Sequence, residues 1–79
     1  MTQTQTRYKL VSPTDNTRVV DFVVEGWDVW IHYYGGVRPY TITHPVDGRP
    51  ITVQSGSNVS RELAKAVWDR FVKTGFVRG

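Results

Sequence analysis

Gly26-Trp27-Asp28-Val29-Trp30-Ile31-His32-Tyr33-Tyr34-Gly35-Gly36 decides how the rest of this chain is read. Between Gly26 and Gly35 every residue except Asp28 and His32 is Trp, Tyr, Val or Ile. Aromatic and β-branched residues at that density, bounded by glycine, read as a strand. Successive side chains of a strand point to opposite faces, so the block divides in two. Trp27, Val29, Ile31 and Tyr33 form one set, expected in the core; Asp28, Trp30, His32 and Tyr34 form the other.

Working outward, two further strands precede this one. Arg7 to Ser12 carries Tyr8 and Leu10 on one face, and Arg18 to Glu25 carries Val20, Phe22 and Val24. Pro13 to Thr17 joins them with turn chemistry, since Pro presets φ and Asp and Asn side chains bond their own backbone. On the other side, Gly35-Gly36 is a hairpin signal, Tyr40 to His44 is a fourth strand, Asp47-Gly48 a further hairpin signal and Ile51 to Gln54 a fifth strand.

The tight loops set an expected register. With Glu25-Gly26 as a two-residue loop, Val24 lies opposite Trp27, Phe22 opposite Val29 and Val20 opposite Ile31. With Gly35-Gly36 as the next, Ile31 meets Tyr40 and Val29 meets Ile42. With Asp47-Gly48 as the third, Ile42 meets Val53 and His44 meets Ile51. All three select one inner face, because a one-residue slip would turn every side chain over. Glu25 is a poor residue for such a turn, so a longer first loop is the alternative.

After Gln54 the period changes. Leu63, Ala64, Val67, Trp68 and Phe71 fall in a stripe about 140° wide on a helical wheel, opposite Arg61, Glu62, Lys65, Asp69 and Lys73. Ser60 is the expected N-cap, Gly75 follows the last turn, and Phe76 is placed to touch Phe71. The fold class is therefore α+β: an antiparallel meander of about five strands with one C-terminal amphipathic helix packed on one face, in two layers. Residues 1–6 are expected to be a flexible N-terminal tail. Residues 7–79 make a single domain, with strands within 7–54 and the helix over 60–74.

The 79 residues contain no cysteine and carry a net charge of +3. Neither a disulfide framework nor a thiolate zinc site is available, which points to a cytoplasmic protein. No stretch is long and apolar enough for a membrane-spanning helix, so no membrane partner is expected. His32 and His44 fall on opposite faces in this register, which disfavours a two-His metal site. No phosphate loop, nucleophile elbow or Cys nucleophile is present. The expectation is no metal, no cofactor and no enzyme activity.

The face left over by the helix carries Trp30, His32 and Tyr34 with Val19 and Val23. A solvated sheet face is normally polar, and these rings break that rule. Strong coiling of the sheet, or the N-terminal tail, is one way to cover them. The other is an interface: a homodimer with two such faces stacked, or a partner protein. A second form of binding uses Trp30, His32 and Tyr34 as a stacking platform for single-stranded nucleic acid, with Arg7, Lys9, Arg38 and Arg49 as phosphate contacts. Asp21 and Asp28 beside Trp30 count against it. The function expected is a small non-catalytic binding module.

The C-terminal stretch Val59-Ser-Arg-Glu-Leu-Ala-Lys-Ala-Val-Trp-Asp-Arg-Phe-Val-Lys-Thr-Gly-Phe76, following a Pro-rich strand pair, resembles the ends of small uncharacterised bacteriophage and cyanophage accessory proteins. The resemblance implies a compact protein that acts by binding a host component. It carries over no catalytic or binding residue.

Overall fold

The structure, a computed structural model, describes residues 5–79. Its elements are β1 (Gln5–Val11), β2 (Val19–Glu25), β3 (Asp28–Tyr34), β4 (Thr41–Thr43), β5 (Pro50–Thr52), β6 (Ser57–Ser60), α1 (Arg61–Lys73) and β7 (Val77–Arg78). The expected tail over 1–6 divides: 1–4 lie outside the described residues, while Gln5 and Thr6 open β1. A five-stranded antiparallel sheet in the order β6-β3-β2-β1-β7 carries α1 on one face, as the α+β reading requires. β4 and β5 are not part of it and form a separate two-stranded ribbon.

The β1–β2 register is the expected one. Tyr8 lies opposite Phe22 and Leu10 opposite Val20, and Ser12 N–H donates to the Arg18 carbonyl across the five-residue loop. Within that loop the Asp15 carboxylate accepts from the Thr17 hydroxyl at 2.6 Å and the Thr17 N–H at 3.0 Å. The hydroxyl first, then the N–H, hold its carboxyl below the usual carboxylate range.

The β2–β3 turn corrects the expected register. The loop is Gly26-Trp27 rather than Glu25-Gly26, so Val24 meets Val29, Phe22 meets Ile31 and Val20 meets Tyr33. The cause is backbone geometry: a tight hairpin with φ > 0 at its first central residue wants glycine there, and Gly26 has φ +61°. Glu25 stays in the strand, opposite Asp28. The pairing shifts by an even number, so the faces survive. Trp27 is the exception: it moves from the expected core to the hairpin tip, 84% exposed. There the Arg61 guanidinium sits 5.6 Å from the ring centroid and donates to the Gly26 carbonyl at 2.7 Å.

A second correction concerns the far edge of β3, which pairs with β6 and not with β4. Val29 lies opposite Val59 and Ile31 opposite Ser57. Gly56 N–H donates to the Ile31 carbonyl and Tyr33 N–H to Ser55 Oγ, extending the seal. Instead of returning along β3, the chain leaves at Gly35-Gly36 and crosses to the helix side, where Val37 is buried and Tyr40 packs on Phe71 at 5.0 Å. Pro39, with no N–H to donate, suits this departure better than a central ladder. In the ribbon, Ile42 meets Ile51 rather than Val53. His44 does not pair with Ile51 either: its Nδ1 accepts from Val46 and Asp47 N–H groups and so builds the turn around Asp47-Gly48. Two strands, β6 and β7, thus fall outside the range expected for strands.

The helix follows its sequence signals closely. Leu63 N–H donates to Ser60 Oγ at 3.3 Å. At the other end Phe76 N–H bonds the Phe71 carbonyl and Gly75 N–H that of Val72, the two bonds of a Schellman ending. Leu63, Ala64, Val67 and Phe71 pack on Leu10, Val20, Phe22, Val29 and Ile31, and Val37, Val53 and Phe76 complete the core.

Tyr33 ties the sheet to the segment just past β5, its hydroxyl donating to the Val53 carbonyl at 2.6 Å. Burial pushes its phenol from 10.0 up to about 12. Between those values the unfolded chain has released the proton while the folded chain still holds it, so stability falls as pH rises from 10 through 12. After discounting for the ring's partial exposure, the loss is about 1–2 kcal/mol. Tyr33→Phe should remove that alkaline slope in urea melts, and cost about 1 kcal/mol at neutral pH through the lost hydrogen bond. An unchanged slope in the variant would show that another group controls it.

Candidate functional site

The sheet face away from α1 presents four rows of side chains, read from the strand registers. Tyr34, Val19, Val11 and Val77 form an apolar row at one end. Next come His32, Asp21 and Lys9, then Asn58, Trp30, Val23 and Arg7. Asp28, Glu25 and Gln5 close the other end, with Gln5 Nε2 donating to Glu25 at 3.1 Å, while Ser60, opposite Asp28, gives its hydroxyl to the helix cap.

All five residues expected on this face, Trp30, His32, Tyr34, Val19 and Val23, are brought together there. Trp30 is 38% exposed and Tyr34 52%. His32 is half-buried, its ring 6.3 Å from that of Tyr34 and close to parallel with it. Val23 is only 6% exposed. Both α1 and the ribbon lie on the other side, so Val23 is covered by its own face: Arg7 and Trp30 stand directly across from it. A buried valine between two long cross-strand neighbours gives this open surface an apolar centre.

Of the four cations expected to contact phosphate, Arg7 and Lys9 share this face, on β1, one strand removed from the rings. Arg38 and Arg49 do not join them. Arg38 follows β3 in the crossing segment, and Arg49 lies in the ribbon turn, where its carbonyl accepts from His44 N–H. The charges that remain are sorted by strand: Arg7 and Lys9 on β1, Asp21 and Glu25 on β2, Asp28 on β3.

Val77 was not legible as part of the apolar row, because a two-residue strand after the helix has no periodicity to show. Trp27 and the Tyr8–Trp68 pair, whose rings meet edge-on at 6.3 Å, were likewise not singled out as surface features. Among the described residues no helix is long and apolar enough to cross a membrane.

Among the described residues, fold and face together define a two-layer α+β domain with a single helix and a partly aromatic sheet face that no other described element covers. Comparison with protein-family models, with curated proteins and with solved structures finds no match to this chain.

Proposed function

We propose that this domain is a non-catalytic, self-associating module whose uncovered sheet face packs on the same face of a second copy. The observation that carries this reading is the exposure of Trp30 and Tyr34 on a face whose charges are sorted by strand. A two-fold axis along the strands and above β2 lays the β1 column of one copy over the β3 column of the other. Arg7 then faces Trp30 of the second copy, an arrangement suited to a cation over an indole ring. Val11 faces Tyr34 and Val19 meets its own equivalent, while Val23, buried within its own face, adds little to the contact. Asp21 and Glu25 also meet their equivalents, with Lys9 beside the first and Gln5 beside the second in the same sheet. An axis across the strands would oppose Arg7 to Lys9 and set Trp30 against His32 instead, so the pairing of a cation with the indole favours the first geometry.

The face spans about 20 Å along the strands and about 15–20 Å across them. That is roughly 300–400 Å² per copy, the size of a weak, transient contact, and association at micromolar or higher concentrations is expected. Light scattering over a concentration series should show wild-type mass rising toward the dimer. Trp30→Ala should weaken the association about tenfold or more and leave the urea midpoint nearly unchanged. A wild type monomeric throughout, or a Trp30→Ala variant as unstable as a core deletion, would make Trp30 a packing residue and sink the proposal.

The presence of Arg7 and Lys9 on the same face as three rings supports a second reading, binding of single-stranded nucleic acid by stacking. Asp21, Glu25 and Asp28 interleave with the rings and repel phosphate, which places it second. Oligonucleotide binding that weakens steeply with salt, in place of self-association, would reverse that order.

A further inference from the structure

On the opposite side of the sheet, α1 leaves part of the inner face open. A groove of about 420 Å³ runs between the N-terminal half of the helix and β1. Phe22, Val24 and Val29 form its floor, Ala64 and Trp68 its wall, and Thr6 and Tyr8 its mouth. Trp68 is fixed there by edge-on contacts with Phe22 at 5.2 Å and Tyr8 at 6.3 Å.

The mouth coincides with an unpaired sheet edge. β7 pairs with β1 at Leu10 and Val11, and Gly79 N–H donates to the Lys9 carbonyl. Backbone groups of alternate residues point to the same edge of a strand, so those of Arg7 and Gln5 point the same way as the Lys9 carbonyl. Among the described residues no strand pairs with them there. An edge whose donors and acceptors no described strand takes, next to an apolar groove, is the geometry of strand addition.

The surroundings are basic. Lys65 rims the groove beside Arg61, whose guanidinium is held by the Gly26 carbonyl and Trp27; Arg78 lies 5.5 Å over the Tyr8 ring, and Arg7 stands on the edge strand itself. No carboxylate lines the groove, and Glu25 is engaged by Gln5. We propose that this edge and groove take an extended acidic peptide as an added antiparallel strand in the lane of β7. Its residues opposite Tyr8 and Thr6 turn apolar side chains into the groove, and its residue opposite Arg7 carries a carboxylate. A second copy of β1 fits poorly, because antiparallel pairing centred on Arg7 sets arginine against arginine.

The test uses the Trp30→Ala variant, which keeps outer-face association out of the measurement. The probes are a fluorescein-labelled peptide of alternating Val and Asp and its alternating Val and Lys counterpart. The Val/Asp peptide should bind saturably, at about 10–100 μM. Its binding should slow hydrogen exchange at the Arg7 amide and weaken about tenfold or more in Arg7→Pro. That substitution removes an N–H pointing away from β2, so it spares the β1–β2 ladder. Arg7→Gln keeps the N–H and should weaken binding less. Four results would each overturn the proposal: equal binding of the Val/Lys peptide; no binding up to about 1 mM; Arg7→Pro behaving as Arg7→Gln; or an Arg7 amide already protected without peptide in a concentration-dependent way, which would mean edges pairing between copies. Should Arg7→Pro not fold, exchange at the Arg7 amide with and without the Val/Asp peptide decides the matter.

Discussion

Phe71→Ala should destabilise the domain by about 3–5 kcal/mol. Phe71 is 1% exposed and joins three parts of the molecule: its ring meets Tyr33 of the main sheet at 5.9 Å, Tyr40 before the ribbon at 5.0 Å and Phe76 after the helix at 5.1 Å. No single smaller side chain keeps all three contacts, and the cavity left by alanine borders on aromatic rings that cannot collapse into it. A domain of this length has roughly 4–12 kcal/mol of total stability, so the loss is a large share of it. Urea denaturation followed by tryptophan fluorescence checks this. Phe71→Leu, which keeps most of the volume, should cost distinctly less. A Phe71→Ala midpoint near wild type would mean that the ribbon and C-terminus do not depend on this ring.

Gly35→Ala should cost about 3 kcal/mol or more, although it adds one methyl group to an exposed residue. Gly35 has φ +70°, where an L side chain is strained, and its Cα faces the loop between β1 and β2. A Cβ there would run into the Thr17 carbonyl and lie 2.9 Å from Arg18 N, so backbone, not a yielding side chain, is in the way. Relief would require moving the Pro13–Thr17 loop, which the Asp15–Thr17 bonds hold in shape. Gly36→Ala is the control: it carries a similar φ of +81° with nothing within 4 Å of the added carbon. The difference between the two melts isolates the steric part, and equal losses would show that only backbone conformation matters.

What the sequence made legible follows from which features are local. The Pro13–Thr17 loop and both helix ends came out as read, because each rests on bonds within a few residues. The outer face was legible because strand parity is insensitive to an even shift of register: moving the turn to Gly26-Trp27 left Trp30, His32 and Tyr34 where alternation had put them. Trp27 was misplaced by that same shift, since one position separates the last strand residue from the tip. The strands β6 and β7 were not legible. Ser57-Asn58-Val59-Ser60 has a single apolar side chain and becomes a strand only because β3 offers it an edge. The groove at β1 was also out of reach, because it depends on how far the helix extends over the inner face.

The strands at the two edges of the sheet have a consequence for how the molecule opens. Every neighbouring pair is antiparallel, so β6 and β7 run parallel to each other, with β3, β2 and β1 between them. The helix is therefore the span of one long crossover, anchored at both borders of the sheet. The three central strands zip together through short turns; the β6 border needs the segment 35–56 to close on β3, and the β7 border waits for the helix crossover. Detaching the helix withdraws both edges at once, which makes residues 57–78 a single cooperative unit of opening, separate from the hairpins beneath it.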